Sequence, residues 1–218
     1  MTEAVATREL ELLEQGGGPP SGNAGGGYSG GGGPAPASGR ERRMYLTGLS
    51  VAVAAILMFF MALASSYIVR KGTGTDWQPI PVPGILWVNT AVLVVSSMTV
   101  EVARRKLAQA GVAEFRNWWA ITTALGMLFL GGQIVAWREL AEQGLFLATN
   151  PSSSFFYVLT ASHGAHLLIG LVALLYVAIR AGQAGWRRRA IAAEGVAVYW
   201  HFLDGLWVFL LLLLNSGR

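Results

Sequence analysis

The sequence contains no cysteine among its 218 residues. Disulfides, thiolate metal sites, iron–sulfur clusters and cysteine nucleophiles are therefore excluded. Charge is also scarce, because Asp, Glu, Lys and Arg make up 13% of the chain against 53% hydrophobic residues. Ordinary soluble domains carry about 25% charged residues, so this composition favours an integral membrane protein.

The N-terminal region is polar and poor in apolar runs. Its first 15 residues lack the apolar centre of a cleavable signal peptide, so none is expected. Residues 16–38 are dominated by Gly, Pro and Ser and cannot bury apolar surface. The sequence predicts a flexible, Gly/Pro-rich cytoplasmic tail over 1–43 and a membrane domain over 44–218.

Five long apolar runs follow this tail. Each has roughly the 20 residues that an α-helix needs to cross about 30 Å of hydrocarbon. The runs are continuous rather than alternating, which excludes a membrane β-barrel. The predicted fold is an all-α integral membrane protein with a bundle of five transmembrane helices, at 45–69, 85–103, 118–137, 155–179 and 191–214.

Basic residues cluster in alternate connections between these runs. One side carries Arg40, Arg42, Arg43, Arg104, Arg105, Lys106, Arg116, Arg180, Arg187, Arg188 and Arg189, and the other has Arg70, Lys71, Arg138 and Arg218. The positive-inside rule therefore predicts a cytoplasmic N-terminus and a C-terminus outside. This asymmetry explains the basic pI of about 9.8 better than nucleic-acid binding does, and no nucleic-acid partner is expected.

Polar side chains inside the apolar runs are the candidate functional residues, because such groups are costly in a membrane. Most of them lie on the fourth and fifth runs. The candidate set is His163, His166, Glu194, His201 and Asp204, with Gln133 on the third run and the aromatic Tyr199 and Trp200 beside His201.

Residue chemistry alone leaves three interpretations of this set. His166 and His201 lie at similar predicted depths, as ligands of a haem-binding membrane anchor or cytochrome b-like carrier would. Glu194, His201 and Asp204 fall roughly on one helix face, as in a proton path. In the third interpretation the polar groups satisfy one another, or a lipid head group, and hold the helices together.

Two stretches resemble a known family. YWHFLDGLWVFLLLL at 199–213 and SSFFYVLTASHGAHLLIG at 153–170 are similar to signatures of subunit III of the haem–copper terminal oxidases, which include cytochrome c oxidase and its quinol-oxidising relatives. Glu194 also stands where that family has a glutamate. The resemblance extends over about 52–214, and the five spans are similar to its shorter bacterial form.

The resemblance implies a non-catalytic subunit that binds neither haem nor copper, since those groups lie in subunits I and II. It implies subunit I as the main partner, with subunit II and small subunits nearby, in a bacterial cytoplasmic membrane. It also implies structural phospholipids and support for oxygen access and sustained proton uptake in a complex that reduces oxygen and pumps protons. The electron donor, cytochrome c or quinol, and assembly into a respiratory supercomplex stay open.

The sequence departs from the family at two positions. The family often has a membrane glutamate where Ile56 stands, and a second where Ala136 stands. Both losses argue against a proton role for this chain and favour the structural interpretation. Asp204 and His201 are then expected to contact His163, His166 or a lipid head group.

Overall fold

Five α-helices form the part of the chain that the computed structural model describes, which is residues 37–109, 111–180 and 186–216. They are α1 (Ala37–Thr73), α2 (Ile85–Ala108), α3 (Val112–Glu142), α4 (Pro151–Arg180) and α5 (Trp186–Asn215). Each contains a stretch that is long and apolar enough to cross a membrane. The predicted all-α membrane fold is confirmed, with no strand in the described residues.

The helices extend beyond the apolar runs that predicted them. α1 begins at Ala37, inside the predicted tail, and α3 runs from Val112 to Glu142 rather than over 118–137. The added turns contain Arg, Glu and Ala, which are good helix formers, so the helices continue past the hydrocarbon. Residues 1–36, which include most of the predicted tail, lie outside the described residues.

The bundle is built around α5. This helix packs against α1, α2 and α4, while α3 packs between α2 and α4. Within the described residues α1 contacts only α4 and α5. Consequently most of the α1 surface is exposed, and the apolar core lies mainly among the other four helices, with Phe60 and Tyr67 contributed by α1.

Glycines make room for aromatic rings from another helix at two positions. At Gly126 of α3, an added Cβ would lie 2.7 Å from the Trp200 ring of α5. At Gly195 of α5, an added Cβ would lie 2.1 Å from the Tyr45 ring of α1. Small residues at such positions are the usual means by which membrane helices pack their backbones and large aromatic rings closely.

The start of α4 is fixed by the capping residues that the sequence contains there. The Asn150 side chain accepts a hydrogen bond from the Ser153 backbone N–H at 2.7 Å, and Pro151 is the first residue of the helix. The Ser152 hydroxyl donates to the Gln78 carbonyl and so joins α4 to the connection between α1 and α2. Trp77 from this connection also packs against Tyr67 of α1, with the ring centroids 5.2 Å apart.

Candidate functional site

Ion pairs occupy one end of the bundle, which is called the basic end here and is defined by Arg42, Glu101, Arg104 and Glu194. The Arg42 guanidinium of α1 binds the Glu194 carboxylate of α5 through two nitrogens. On α2, Arg104 Nε donates to Glu101 at 2.9 Å, and Arg105 Nε donates to the same carboxylate at 3.0 Å. Glu194 therefore ties α1 to α5 where the helices leave the hydrocarbon.

His163 is completely buried between three helices. Its ring lies 5.0 Å from the Trp207 ring of α5 and 6.0 Å from the Phe129 ring of α3, measured between centroids. Neither ring nitrogen has a hydrogen-bond partner among the described residues. His163 thus contributes mainly by packing, and it makes no hydrogen bond with Asp204.

His166 contacts α1 and its own helix. Its Nδ1–H donates to the Ser162 carbonyl at 2.7 Å, one turn earlier. The ring packs against Phe59 and Phe60 of α1, with centroids 6.2 and 5.5 Å away. The Tyr199 hydroxyl of α5 donates to the His166 carbonyl at 3.1 Å, so this residue joins α1, α4 and α5.

His201 and Asp204 lie on the side of α5 that borders α2. The His201 Nδ1 shares a hydrogen bond with the Ser97 hydroxyl of α2, and the rest of the ring is exposed. Asp204 is only 7% exposed, and neither of its oxygens meets hydrogen-bond geometry with any described residue. The Ser97 side chain lies near this carboxyl.

Two tryptophans of α5 donate hydrogen bonds that the sequence did not predict. Trp200 Nε1 donates to the Ser96 hydroxyl at 2.9 Å, and Trp207 Nε1 donates to the Thr90 hydroxyl at 3.0 Å. Both acceptors lie on α2. Serine and threonine are common throughout membrane helices, so their presence on α2 did not distinguish these positions.

Gln133 is buried in α3 at about the level of His163. A bond between the same two helices, from Trp137 Nε1 to the Thr160 hydroxyl at 3.1 Å, sets this register. Gln133 is 2% exposed, and its amide atoms have no hydrogen-bond partner among the described residues. Gln133 and His163 therefore lie at one level on α3 and α4, whereas His201 and Asp204 lie between α5 and α2, and Glu194 and His166 contact α1.

The three histidines do not converge on a common point. His166 contacts α1, His163 packs on Trp207 and Phe129, and His201 contacts α2. A haem iron with two axial histidines needs two imidazoles that face each other, and these contacts do not place His166 and His201 in that way. Among the described residues no group of three or more His, Asp or Glu side chains lies together as a metal site would.

The positions where related sequences are expected to carry glutamates are apolar and packed. Ala136 of α3 is completely buried, and Ile56 of α1 packs against the core. The interior therefore has no carboxylate at either position. Several of the polar contacts among the described residues are hydrogen bonds and ion pairs that join neighbouring helices.

Fold and site together define a polytopic α-helical membrane protein whose buried polar groups join helices. A sequence model of the family described as "Cytochrome c oxidase subunit III" matches residues 26–216. The chain therefore belongs to the cytochrome c oxidase subunit III family, whose members are subunits of an oxidoreductase complex.

Individual members of this family are also similar to the chain in sequence. The chain is 34% identical to "Cytochrome c oxidase subunit 3" of Thermostichus vulcanus over 173 residues, covering 77% of this chain and 84% of the relative. It is 32% identical to the protein of that name from Synechocystis sp. over 79% of this chain and 75% of the relative. A "Probable cytochrome c oxidase subunit 3" of Mycobacterium tuberculosis (strain ATCC 25618 / H37Rv) is 31% identical, with 77% and 85% covered.

Proposed function

We propose that this chain is the non-catalytic subunit III of a proton-pumping haem–copper terminal oxidase in aerobic respiration. In this role it stabilises subunit I, holds phospholipid, and supports oxygen access and sustained proton uptake. The observation that carries the proposal is the placement of the polar side chains. His163, His166 and His201 contact different helices, so they join the bundle instead of forming a redox centre.

The proposed orientation places the basic end in the cytoplasm of a bacterium. Arg42 and Arg104 lie at this end, with the other basic residues of the α2–α3 connection. The opposite end carries far fewer basic residues, which supports an N-terminus inside and a C-terminus outside. The membrane in question is then the cytoplasmic membrane.

A groove between α1 and α4 supports the lipid part of the proposal. Its volume is about 610 Å³, and it opens at the end of the bundle opposite the basic end. It is lined by Ser65, Ser66, Val69, Arg70, Thr73, Pro151, Ser154 and Phe155. Arg70, which also pairs with Asp76 at 2.7 Å, supplies a cation for a phosphate, while the hydroxyl groups and apolar side chains suit a lipid backbone and the start of its acyl chains.

The sustained-turnover role is tested by comparing the oxidase with and without this chain. We expect the depleted complex to begin turnover at a similar rate and then to lose activity sooner, because the chain stabilises the catalytic subunit without taking part in its chemistry. Oxygen consumption should be followed over many turnovers in vesicles. An equal lifetime with and without the chain would contradict the proposal, as would complete loss of the initial rate.

A further inference from the structure

A segment rich in proline joins α1 to α2 at the end of the bundle opposite the basic end. It has three prolines over residues 79–83, and proline has no backbone N–H, so the segment cannot form regular hydrogen-bonded structure. Side-chain contacts therefore help to hold it. The Trp77 ring packs on Tyr67 of α1, and the Gln78 carbonyl accepts a hydrogen bond from the Ser152 hydroxyl of α4.

Trp77 brings a polar group into this packing. Its indole nitrogen Nε1 is buried and has no hydrogen-bond partner among the described residues. An indole N–H can only donate, and when it is buried it usually finds an acceptor. The planes of the Trp77 and Tyr67 rings meet at 80°, but an aromatic ring accepts a proton only weakly. An oxygen atom beside Trp77 is therefore expected.

A small cavity adjoins the Trp77 ring. Its volume is about 10 Å³, and it is lined by Trp77 and Ile80 of the connection, Tyr67 of α1, Ser152 of α4 and Leu214 of α5. One water molecule needs a cavity of at least about 10–15 Å³, so this one is at the lower limit for a single water and too small for any larger ligand.

The cavity wall carries the polar groups that a buried water needs, which are commonly two to four. Tyr67 and Ser152 are only 2% and 3% exposed, and each has a hydroxyl group that can accept as well as donate. The single Ser152 proton is directed to the Gln78 carbonyl or to Asn150 Oδ1. The lone pairs of this hydroxyl are therefore available to a donor in the cavity.

The cavity lies where the helices leave the hydrocarbon. Ser152 is the second residue of α4, and Leu214 is the residue before the end of α5. Water from the adjacent aqueous phase is therefore close at hand, which it would not be in the middle of the bundle.

We infer that this cavity is a binding site for one structural water molecule. The water accepts a hydrogen bond from Trp77 Nε1 and donates to the hydroxyl oxygens of Ser152 and Tyr67. It satisfies the indole N–H and joins the proline-rich connection to α1 and α4, beside the end of α5. The site does not depend on the proposed function, because all of its groups belong to this chain.

Ultraviolet resonance Raman spectroscopy of the full chain tests the state of the indole N–H. The chain has eight tryptophans, and the difference between its spectrum and that of Trp77→Phe isolates the contribution of Trp77. We expect the band that reports on N–H hydrogen bonding to be shifted as for a bond to oxygen. An unbonded N–H, or one bonded only to an aromatic ring, would overturn the inference.

Trp87→Phe is the matched control for the Raman measurement. Trp87 is 49% exposed on α2 and does not line the cavity. The contribution of Trp77, measured again in this background, should therefore be the same.

A crystal structure of the full chain, at a resolution that shows ordered water, tests the identity of the acceptor. We expect a peak within about 3 Å of both Trp77 Nε1 and the Ser152 hydroxyl oxygen. A protein oxygen bonded directly to Nε1, or a cavity without a peak, would overturn the inference.

Discussion

At the scale of single residues, the polar side chains of α4 and α5 contact different helices: His166 packs on Phe60 of α1, and His201 bonds Ser97 of α2. His163, His166, His201 and Asp204 stand out because ionisable groups are rare in apolar runs. Their contacts depend on which helices are neighbours, and periodicity alone does not determine that. The expected contact between Asp204 and a histidine of α4 is replaced by proximity to Ser97, a residue type too common in membrane helices to be noticed.

His201 and Asp204 are predicted to matter for assembly more than for chemistry. His201→Ala or Asp204→Ala should weaken the association with the catalytic subunit by about 1–3 kcal/mol, because His201 bonds Ser97 of α2 and Asp204 lies beside it, so each change disturbs the packing of α5 on α2. The fraction of complex that retains the chain after detergent extraction measures this. Sustained activity should fall more than the initial rate.

The control for this prediction is Val172→Ala on the exposed face of α4, which removes apolar side-chain atoms without affecting a polar contact. It should leave both the retained fraction and the turnover lifetime unchanged. If the His201 and Asp204 variants behaved like this control, the two side chains would have no role in assembly.

At the scale of helices, the sequence predicted which elements exist but not where they end. Uninterrupted apolar runs of membrane-spanning length allow only a helix, so all five were predicted. The sequence prediction ended each helix where the apolar run ends. In the structure, α3 continues past that point through Arg138 and Glu139 to Glu142. Helix backbones remain hydrogen-bonded in water as well as in lipid, so hydropathy does not mark their termini.

The packing of the Trp200 ring of α5 against α3 is predicted to depend on Gly126. In Gly126→Ala the new methyl would lie 2.7 Å from the Trp200 ring and 3.2 Å from Leu171. Overpacking of this kind costs about 1–3 kcal/mol. The midpoint of SDS-induced unfolding of the purified chain, followed by circular dichroism, should move to lower SDS.

Gly131→Ala is the matched control on the same helix, because a Cβ there meets no atom within 4 Å. It should leave the midpoint unchanged or raise it, since alanine is the better helix former by up to about 1 kcal/mol. Equal midpoints for the two variants would show that the packing at Gly126 is not tight.

The position of α1 is predicted to depend on its contacts with α5. Glu194→Gln removes the ion pair with Arg42, which is exposed to solvent and so contributes little to stability. Spin labels on cysteines introduced at Met44 and Ile179 are convenient because the chain has no native cysteine. Their distance distribution should broaden moderately, and more strongly in Gly195→Ala, where a Cβ would meet the Tyr45 ring.

Glu114→Gln serves as the reference for the α1 experiment. It breaks an ion pair with Lys106 at 2.6 Å that joins the ends of α2 and α3 and does not involve α1. The distance between the two labels should be unaffected. An unchanged distribution in both the Glu194 and the Gly195 variants would mean that α1 is held by other contacts.

At the scale of the whole molecule, the chain is a membrane scaffold that belongs to the cytochrome c oxidase subunit III family. Its α1–α4 groove and its basic end are two surfaces with different chemistry. The proposal assigns them to lipid and to the cytoplasm, respectively. Each assignment requires the chain to be present in an assembled oxidase.

Copurification tests that central requirement most directly. The tagged chain is extracted from its native membrane in mild detergent, and the bound proteins are identified by mass spectrometry while the haem spectrum is recorded. The account predicts that the catalytic haem–copper subunit is recovered in equal amounts with the chain, and that the haem signal leaves with it when the two are separated. Recovery of the chain without that subunit, or a stoichiometric haem signal that stays with the isolated chain, would contradict the account.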